Sequence, residues 1–296
     1  MDFIIKLENS YLYAEISEIG GELTRLYNKE TKTELLWNGD PTYWKRHSPI
    51  LFPNVGKTYQ DTILIGKKSY PTSQHGFARD RQFTCVKSDD SFASFVLTSN
   101  EETKKVYPFD FELFITYTLY EKSLRVTWTV KNLSKEEMYF TIGGHPAFMF
   151  ENANDKKENY LLYFPKKQDL TYLLLNPEFG TAMPDTTKQL HLENGFYPLS
   201  DTMFEKDALI FDDKQIEEVW LYRKSNRTPY VGLKCKDFNN FGIWSVKDAP
   251  FVCLEPWAGR CDDTGFTSDI SEKKGINHLS SGETFEKEYE IVVGSF

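Results

Sequence analysis

Residues 109–133 read FDFELFITYTLYEKSLRVTWTVKNL, and their alternation decides the fold class. Phe111, Leu113, Ile115, Tyr117 and Leu119 alternate with Glu112, Phe114, Thr116 and Thr118. Beyond the polar turn Glu121-Lys122-Ser123, Leu124, Val126, Trp128 and Val130 alternate with Arg125, Thr127, Thr129 and Lys131. Successive side chains of a strand point to opposite faces, so period two on both sides of a short polar turn is a β-hairpin. Each arm is about ten residues long, where five or six is usual, and long arms predict a large sheet.

The same pattern continues in both directions. Strands are predicted over 11–16, 94–98, 139–142, 208–211, 219–223, 230–235, 241–246, 251–254 and 285–293, with a turn at Gly20-Gly21. Helical periodicity is weak throughout, with short helical turns expected only near 41–45 and 199–204. The most polar stretch, 151–159, reads as an exposed loop because strand patterns resume on either side of it. No internal repeat or low-complexity segment occurs. The expected architecture is all-β, a large antiparallel β-sandwich forming one domain over residues 1–296.

Composition narrows the function. The chain has 296 residues, 40% hydrophobic and 27% charged, as in globular proteins. Its net charge of −9, without a large Lys/Arg cluster, excludes nucleic acid as a partner. No apolar run approaches the roughly 20 residues of a spanning helix, so no membrane partner is expected. The N-terminal residues 1–7 lack a basic segment followed by an apolar one, so no export signal is read and a cytoplasmic location is expected. Cys85, Cys235, Cys253 and Cys261 form no CxxC pair and have no zinc spacing. They are expected to be reduced thiols, with Cys235 and Cys253 in the core. No cofactor and no metal are expected. The aromatic load, 23 Phe, 17 Tyr and 6 Trp, suits strands, and flat rings also cover the apolar face of a sugar.

Three polar stretches stand out against this background. They are Gln74-His75-Gly76-Phe77-Ala78-Arg79, Gly143-Gly144-His145-Pro146-Ala147-Phe148 and Leu254-Glu255-Pro256-Trp257-Ala258-Gly259. Each sets one titratable side chain beside Gly or Pro, where strands end and backbones bend. A lone histidine is more often a satisfied core residue than a catalyst, but the bends around His75 and His145 argue for a site. Glu255 ends an apolar run, so partial desolvation should raise its pKa and suit it to proton transfer near neutrality. Pro256 is expected to stop that strand, and Trp257 to offer a stacking face. Arg79, with Arg81 nearby, could fork a phosphate or carboxylate, or simply pair with Asp80 on the surface. Asp207 is a weaker candidate for gripping sugar hydroxyls, and Asp262 and Asp263 could join Glu255 in a carboxylate cluster. No phosphate-cradling glycine loop or nucleophile elbow is present.

Taken together with Gly20-Gly21-Glu22-Leu23 and Pro49-Ile50-Leu51-Phe52-Pro53, these motifs resemble the aldose 1-epimerase (galactose mutarotase) superfamily, in its LacX-like and hexose-6-phosphate mutarotase-like branch. The resemblance runs nearly the whole chain. It implies the galactose mutarotase-like supersandwich with an open cleft, and interconversion of the α and β anomers of a small-molecule sugar or sugar phosphate. It implies Glu255 as the base at the C1 hydroxyl and His145 as the acid at the ring oxygen. His75 would hydrogen-bond near O1 or O5. Such roles suit groups titrating near operating pH, where unperturbed histidine sits at about 6.5. Arg79 matches the arginine that holds phosphate in the sugar-phosphate branch, with Lys57 or Arg46 assisting. Asp207 carries over only by its place before a strand. The motif context around both histidines differs from galactose mutarotases proper, so the resemblance does not select galactose.

Two other readings compete. One is a sugar-binding or sensing protein that keeps the fold without turnover. The other is a glycoside hydrolase pairing Glu255 with Asp207 or Asp262, which needs two facing carboxyl groups at a defined separation. A histidine opposite Glu255 favours mutarotation and a second carboxyl favours hydrolysis. The oligomeric state is not readable from the sequence.

Overall fold

The computed structural model describes residues 3–152 and 154–294, almost entirely as antiparallel strands. The hairpin of residues 109–133 is its spine: Phe111–Tyr120 pairs with Ser123–Asn132 in full register, Ile115 facing Trp128. Burial alternates residue by residue along both arms, as period two demands. These arms lie inside a nine-stranded sheet. Its order is Phe196–Pro198, Tyr160–Tyr163, Glu218–Arg223, Thr228–Lys234, Thr284–Val293, Ser123–Asn132, Phe111–Tyr120, Phe92–Thr98 and Thr84–Ser88.

A second sheet of eight strands carries the site. It runs Ala182–His191, Asp169–Leu175, Leu209–Phe211, Asn240–Trp244, Phe251–Ala258, Ile142–Gly144 and Ile50–Leu51, with Ala147–Met149 also paired to Phe251–Ala258. Side chains of both sheets meet in one apolar cluster that draws residues from Leu7 to Val293. Each fully buried large side chain there contributes about 1.5–3 kcal/mol. A four-stranded sheet, Ile4–Glu8, Leu12–Ser17, Glu22–Asn28 and Thr33–Glu34, adds its apolar face to the same cluster.

The structure corrects several local expectations. Pro256 does not stop its strand: Phe251–Ala258 continues through it, and Pro256 pairs with Phe241. Antiparallel pairing leaves alternate amides free of any one neighbour, and a proline can occupy such a place. The short turn expected near 41–45 is present, with Tyr43 N and Trp44 N both donating to the Asp40 carbonyl. The expected turn near 199–204 is present as a 3-10 segment, Asp201–Phe204. A one-turn α-helix, Glu101–Lys104, was not expected; Asn100 caps it by accepting from Glu102 N and Thr103 N. The edge strand Ala182–His191 is mostly exposed and has no apolar alternation to reveal it. The polar stretch 151–159 includes residue 153, which lies outside the described residues, and it is not wholly exposed. Lys157 is buried, its ammonium held by Asp201 at 2.6 Å and by the carbonyls of Val246 and Ala249. All four cysteines are free, with Cys235 and Cys253 buried as expected. Among the described residues no helix is long and apolar enough to cross a membrane.

Candidate active site

The register of the second sheet builds the central pair. Ile142 faces Ala258, Gly143 faces Trp257, and Ala147 faces Cys253. The same register, carried across the interruption at 145–146, sets His145 directly opposite Glu255. Cross-strand neighbours have Cβ atoms about 4.5–5.5 Å apart, so their side chains meet. Here His145 Nε2 lies 3.3 Å from Glu255 Oε1. On its other side Glu255 faces Gly242, which has no side chain to obstruct it.

The glycines around the pair make room more than they make bends. A Cβ on Gly143 would lie 2.4 Å from Trp257 Cδ1, and one on Gly242 would lie 2.3 Å from Trp257 Cζ2. A Cβ on Gly144 points the other way, 3.0 Å from Trp128 Cζ2 in the core. Trp257 is thus wedged flat between two backbones and only 4% exposed. The open stacking face expected of it is not there. A different tryptophan covers the pair. The half-buried Trp44 stacks on His145 with ring centres 4.7 Å apart, and Trp244 meets His145 edge-on at 5.6 Å. Trp44 sits in the 40–47 turn and is held there by its carbonyl, which accepts from Trp37 Nε1 at 2.7 Å. The sequence reading missed Trp44 and Trp244 because neither lies in a Gly/Pro motif.

His75 joins from a separate segment. Gly76 pairs with Phe52, and Phe77 N and Ala78 N both donate to the Phe52 carbonyl. A Cβ on Gly76 would lie 2.2 Å from that carbonyl oxygen, and its φ is +69°, so this position requires glycine. His75 itself adopts φ +67°. Its Nδ1 accepts from Gly56 N at 3.0 Å, and a backbone amide can only donate. The ring proton therefore sits on Nε2, which makes neutral His75 a donor on that side. The rings of His75 and His145 are 5.5 Å apart, edge to face.

Burial dominates the protonation of this group. It pushes the Glu255 carboxyl well above 4.5; the Trp257 side chain partly opposes this, and the charge of Asp207 adds to it. Burial also pushes His145 down from 6.5 to about 3, with the Arg79 and Arg46 charges acting in the same sense. His75 is driven well below 6.5 by desolvation, then by His145, Arg79 and Arg46. The expected histidines titrating near 6.5 are therefore not found, because water is excluded from the charged forms. Both shifts favour the neutral forms, a carboxylic acid at Glu255 and an uncharged imidazole at His145. His145 Nδ1 and Glu255 Oε2 are buried without a hydrogen-bond partner, which leaves acceptor and donor capacity for a ligand.

The rim is basic. Arg46 reaches Asp80 at 2.8 Å, while Arg79 donates to the Gln74 carbonyl at 2.6 Å and stands 3.9 Å from Asp80. Arg79 Nε is buried without a hydrogen-bond partner, and burial together with Arg46 lowers that guanidinium to about 10. Asp207 is exposed at φ +73°, its Oδ1 accepting from Ala208 N. It lies close enough for its charge to act on Glu255. Asp262 does not join Glu255. Its carboxylate is bound by Lys273 at 2.8 Å and by Tyr59 N at 2.8 Å. Asp263 pairs with Arg260 at 2.7 Å. Ligand atoms of His145, Cys253 and Glu255 lie within 4.8 Å of one another, the spacing of a possible metal site. Burial opposes the thiolate and carboxylate that a cation would require there.

An antiparallel sandwich that brings together a buried histidine–carboxyl pair, a donor histidine and nearby basic side chains has the groups of a proton-transfer enzyme for a small polar substrate. The aldose 1-epimerase family model matches residues 4–262, and the chain belongs to that family. It is a sugar mutarotase of the epimerase class, acting on a small-molecule sugar. It is 31% identical to the chromosomal LacX protein of Lactococcus lactis over 98% of this chain and 99% of that one. A galactose mutarotase related enzyme of Lactobacillus acidophilus superposes with TM-score 0.92 at 32% identity, covering 100% of this chain and 98% of that one. A galactose mutarotase-like protein of Lactobacillus casei gives TM-score 0.88 at 33% identity, over 98% and 100% of the two chains.

Proposed function

We propose that this protein interconverts the α and β anomers of an aldohexose or aldohexose 6-phosphate, with Glu255 as general base and His145 as general acid. The observation that carries this is the buried His145–Glu255 contact of 3.3 Å. An ion pair and a neutral pair contain the same single proton. Burial keeps that proton on Glu255 at rest. Sugar hydroxyls donating to the carboxyl favour its charged form and pass the proton to His145, without net uptake from solvent. Glu255 then removes the C1 hydroxyl proton. The O1 electrons form the carbonyl as the C1–O5 bond breaks, and O5 takes the proton from His145. The open-chain aldehyde turns about C1–C2. Closure runs the same transfers backwards on the other face.

The remaining residues fit supporting roles. His75 donates from Nε2 to O1 or O5, where charge develops. Asp207 accepts from sugar hydroxyls. Arg79, with Arg46 beside it, offers the anion site that a 6-phosphate needs. Hydrolysis of glycosides is less well supported, since Asp262 is committed to Lys273 and a histidine stands opposite Glu255.

The test is magnetisation exchange between anomeric protons by NMR, with glucose, galactose and their 6-phosphates. Wild type should accelerate exchange for at least one of them. Glu255→Gln should bind sugar yet lose about 10²–10⁴-fold in rate, the usual worth of a positioned acid–base group. Wild-type rates from Glu255→Gln would overturn the role of the pair.

A further inference from the structure

A second cavity of about 210 Å³ lies between the Thr62–Ile65/Lys68–Pro71 hairpin and residues 262–276, apart from the His145–Glu255 pair. At about 30 Å³ per water it holds roughly seven waters, too little for a drug-sized ligand and enough for a compact metabolite. Its lining is mixed. Phe266, Ile270 and Ile276 supply an apolar wall. Thr58, Thr141, Asp262 and Lys273 supply a polar one, and all four of these are at least nine-tenths buried.

The polar wall has unused capacity. Lys273 carries three N–H donors, and among the described residues its one partner is Asp262, 2.8 Å away. Asp262 Oδ1 faces that ammonium without a well-angled hydrogen bond. The Thr141 hydroxyl accepts from Val55 N and keeps its own proton to donate. The two charges cancel, so the wall offers donors and acceptors without a net field. A lining that combines apolar surface with a neutral set of hydrogen-bonding groups is complementary to a carbon chain or ring carrying hydroxyls.

We propose that this cavity is a second, non-catalytic binding site for a small neutral polyhydroxylated molecule, an alditol or a monosaccharide. Its position gives it a bearing on the reaction. Asn54 and Thr141 line it and also hold the loop that fixes His75: Asn54 Nδ2 donates to the Gly56 and Ser73 carbonyls, and Thr141 N donates to the Pro53 carbonyl. Gly56 in turn holds the His75 ring through its N–H and accepts His75 N at its carbonyl.

The probe is D-glucitol, which has no anomeric carbon and cannot turn over. It is titrated into isotopically labelled full-length protein and followed by amide shifts. The expected result is saturable shifts at Thr141, Ile270 and Lys273. Two variants test the location: Ser268→Trp, at the exposed mouth, and the pair Lys273→Met with Asp262→Asn, which keeps an acceptor for Tyr59 N. Each should weaken these shifts about tenfold or more. Shifts confined to residues around His145 and Trp44, or none at all, would mean the cavity holds water only and would overturn the proposal. Cavity shifts that persist unchanged in both variants would also overturn it. The readout uses no turnover, so it stands or falls separately from the mutarotase mechanism.

Discussion

Burial of the His145–Glu255 pair predicts an unusual acid limb. The pair titrates as a unit, and the form that works holds one proton. A second proton enters only as His145 titrates, at about 3. At pH 4 about nine-tenths of the enzyme should then remain in the one-proton form. With ordinary values of 4.5 for the carboxyl and 6.5 for histidine, only about a quarter would remain at that pH. The assay is kcat/KM for anomer exchange from pH 8 to pH 3.5, corrected for the uncatalysed rate at each pH. Folding must be followed in parallel, and its sign is opposite. The folded pKa of His145 lies below the unfolded value of 6.5, so the unfolded chain binds protons first as pH falls. Stability present above pH 6.5 is lost progressively toward pH 3. Tryptophan fluorescence separates loss of fold from loss of activity. An acid limb centred near 4.5 or higher, in protein that is still folded, would refute the buried neutral pair.

Three further outcomes follow from the same geometry. Glu255→Gln should gain thermal stability relative to wild type as pH rises above 4.5, because the unfolded wild-type chain releases this proton before the folded one does; a Tm difference that does not grow between pH 5 and pH 8 would contradict the desolvated carboxyl. Gly143→Ala drives a Cβ to 2.4 Å from Trp257 Cδ1, so denaturant unfolding should show a loss of about 1–3 kcal/mol, and an unchanged midpoint would refute the wedge. Arg79→Ala should raise the KM for a hexose 6-phosphate about 10–100-fold more than for its neutral parent, the worth of a charge-assisted hydrogen bond; equal effects would remove the phosphate site.

Much of this molecule is legible in its sequence where local pattern and local burial coincide. The hairpin arms are the clearest instance, because one face of each is wholly buried and the other is not. The edge strand Ala182–His191 is the opposite instance: only Ala182 and Leu190 are buried, the residues between are held by sheet pairing, and pairing leaves no mark on composition. Lys157 lies in a stretch that reads as an exposed loop and is in fact buried, because its partner Asp201 comes from a distant segment; Arg260 is buried on Asp212 in the same way. Trp44 was invisible for the same reason. Its stacking on His145 depends on a turn that returns to the sheet, and nothing in residues 40–47 states where that turn lands.

The Gly143-Gly144-His145-Pro146 stretch shows how a local reading of a motif differs from what the sheet makes of it. Read locally, two glycines and a proline mean a bend, and a bend suggests a functional rim. In the sheet, Gly143 and Gly144 are strand residues whose missing side chains face opposite ways, one toward Trp257 and one toward Trp128. The irregularity is confined to 145–146, between Ile142–Gly144 and Ala147–Met149. Because pairing resumes beyond it in the same register, His145 keeps its place across from Glu255 while lying outside both strands. His145 N donates to the Pro49 carbonyl in the register of the Gly143–Leu51 and Gly144–Ile50 pairs, which ties the pair to the segment leading to Phe52 and so to His75. Register therefore sets His145 opposite Glu255, and the segment bonded to His145 brings the His75 ring beside it.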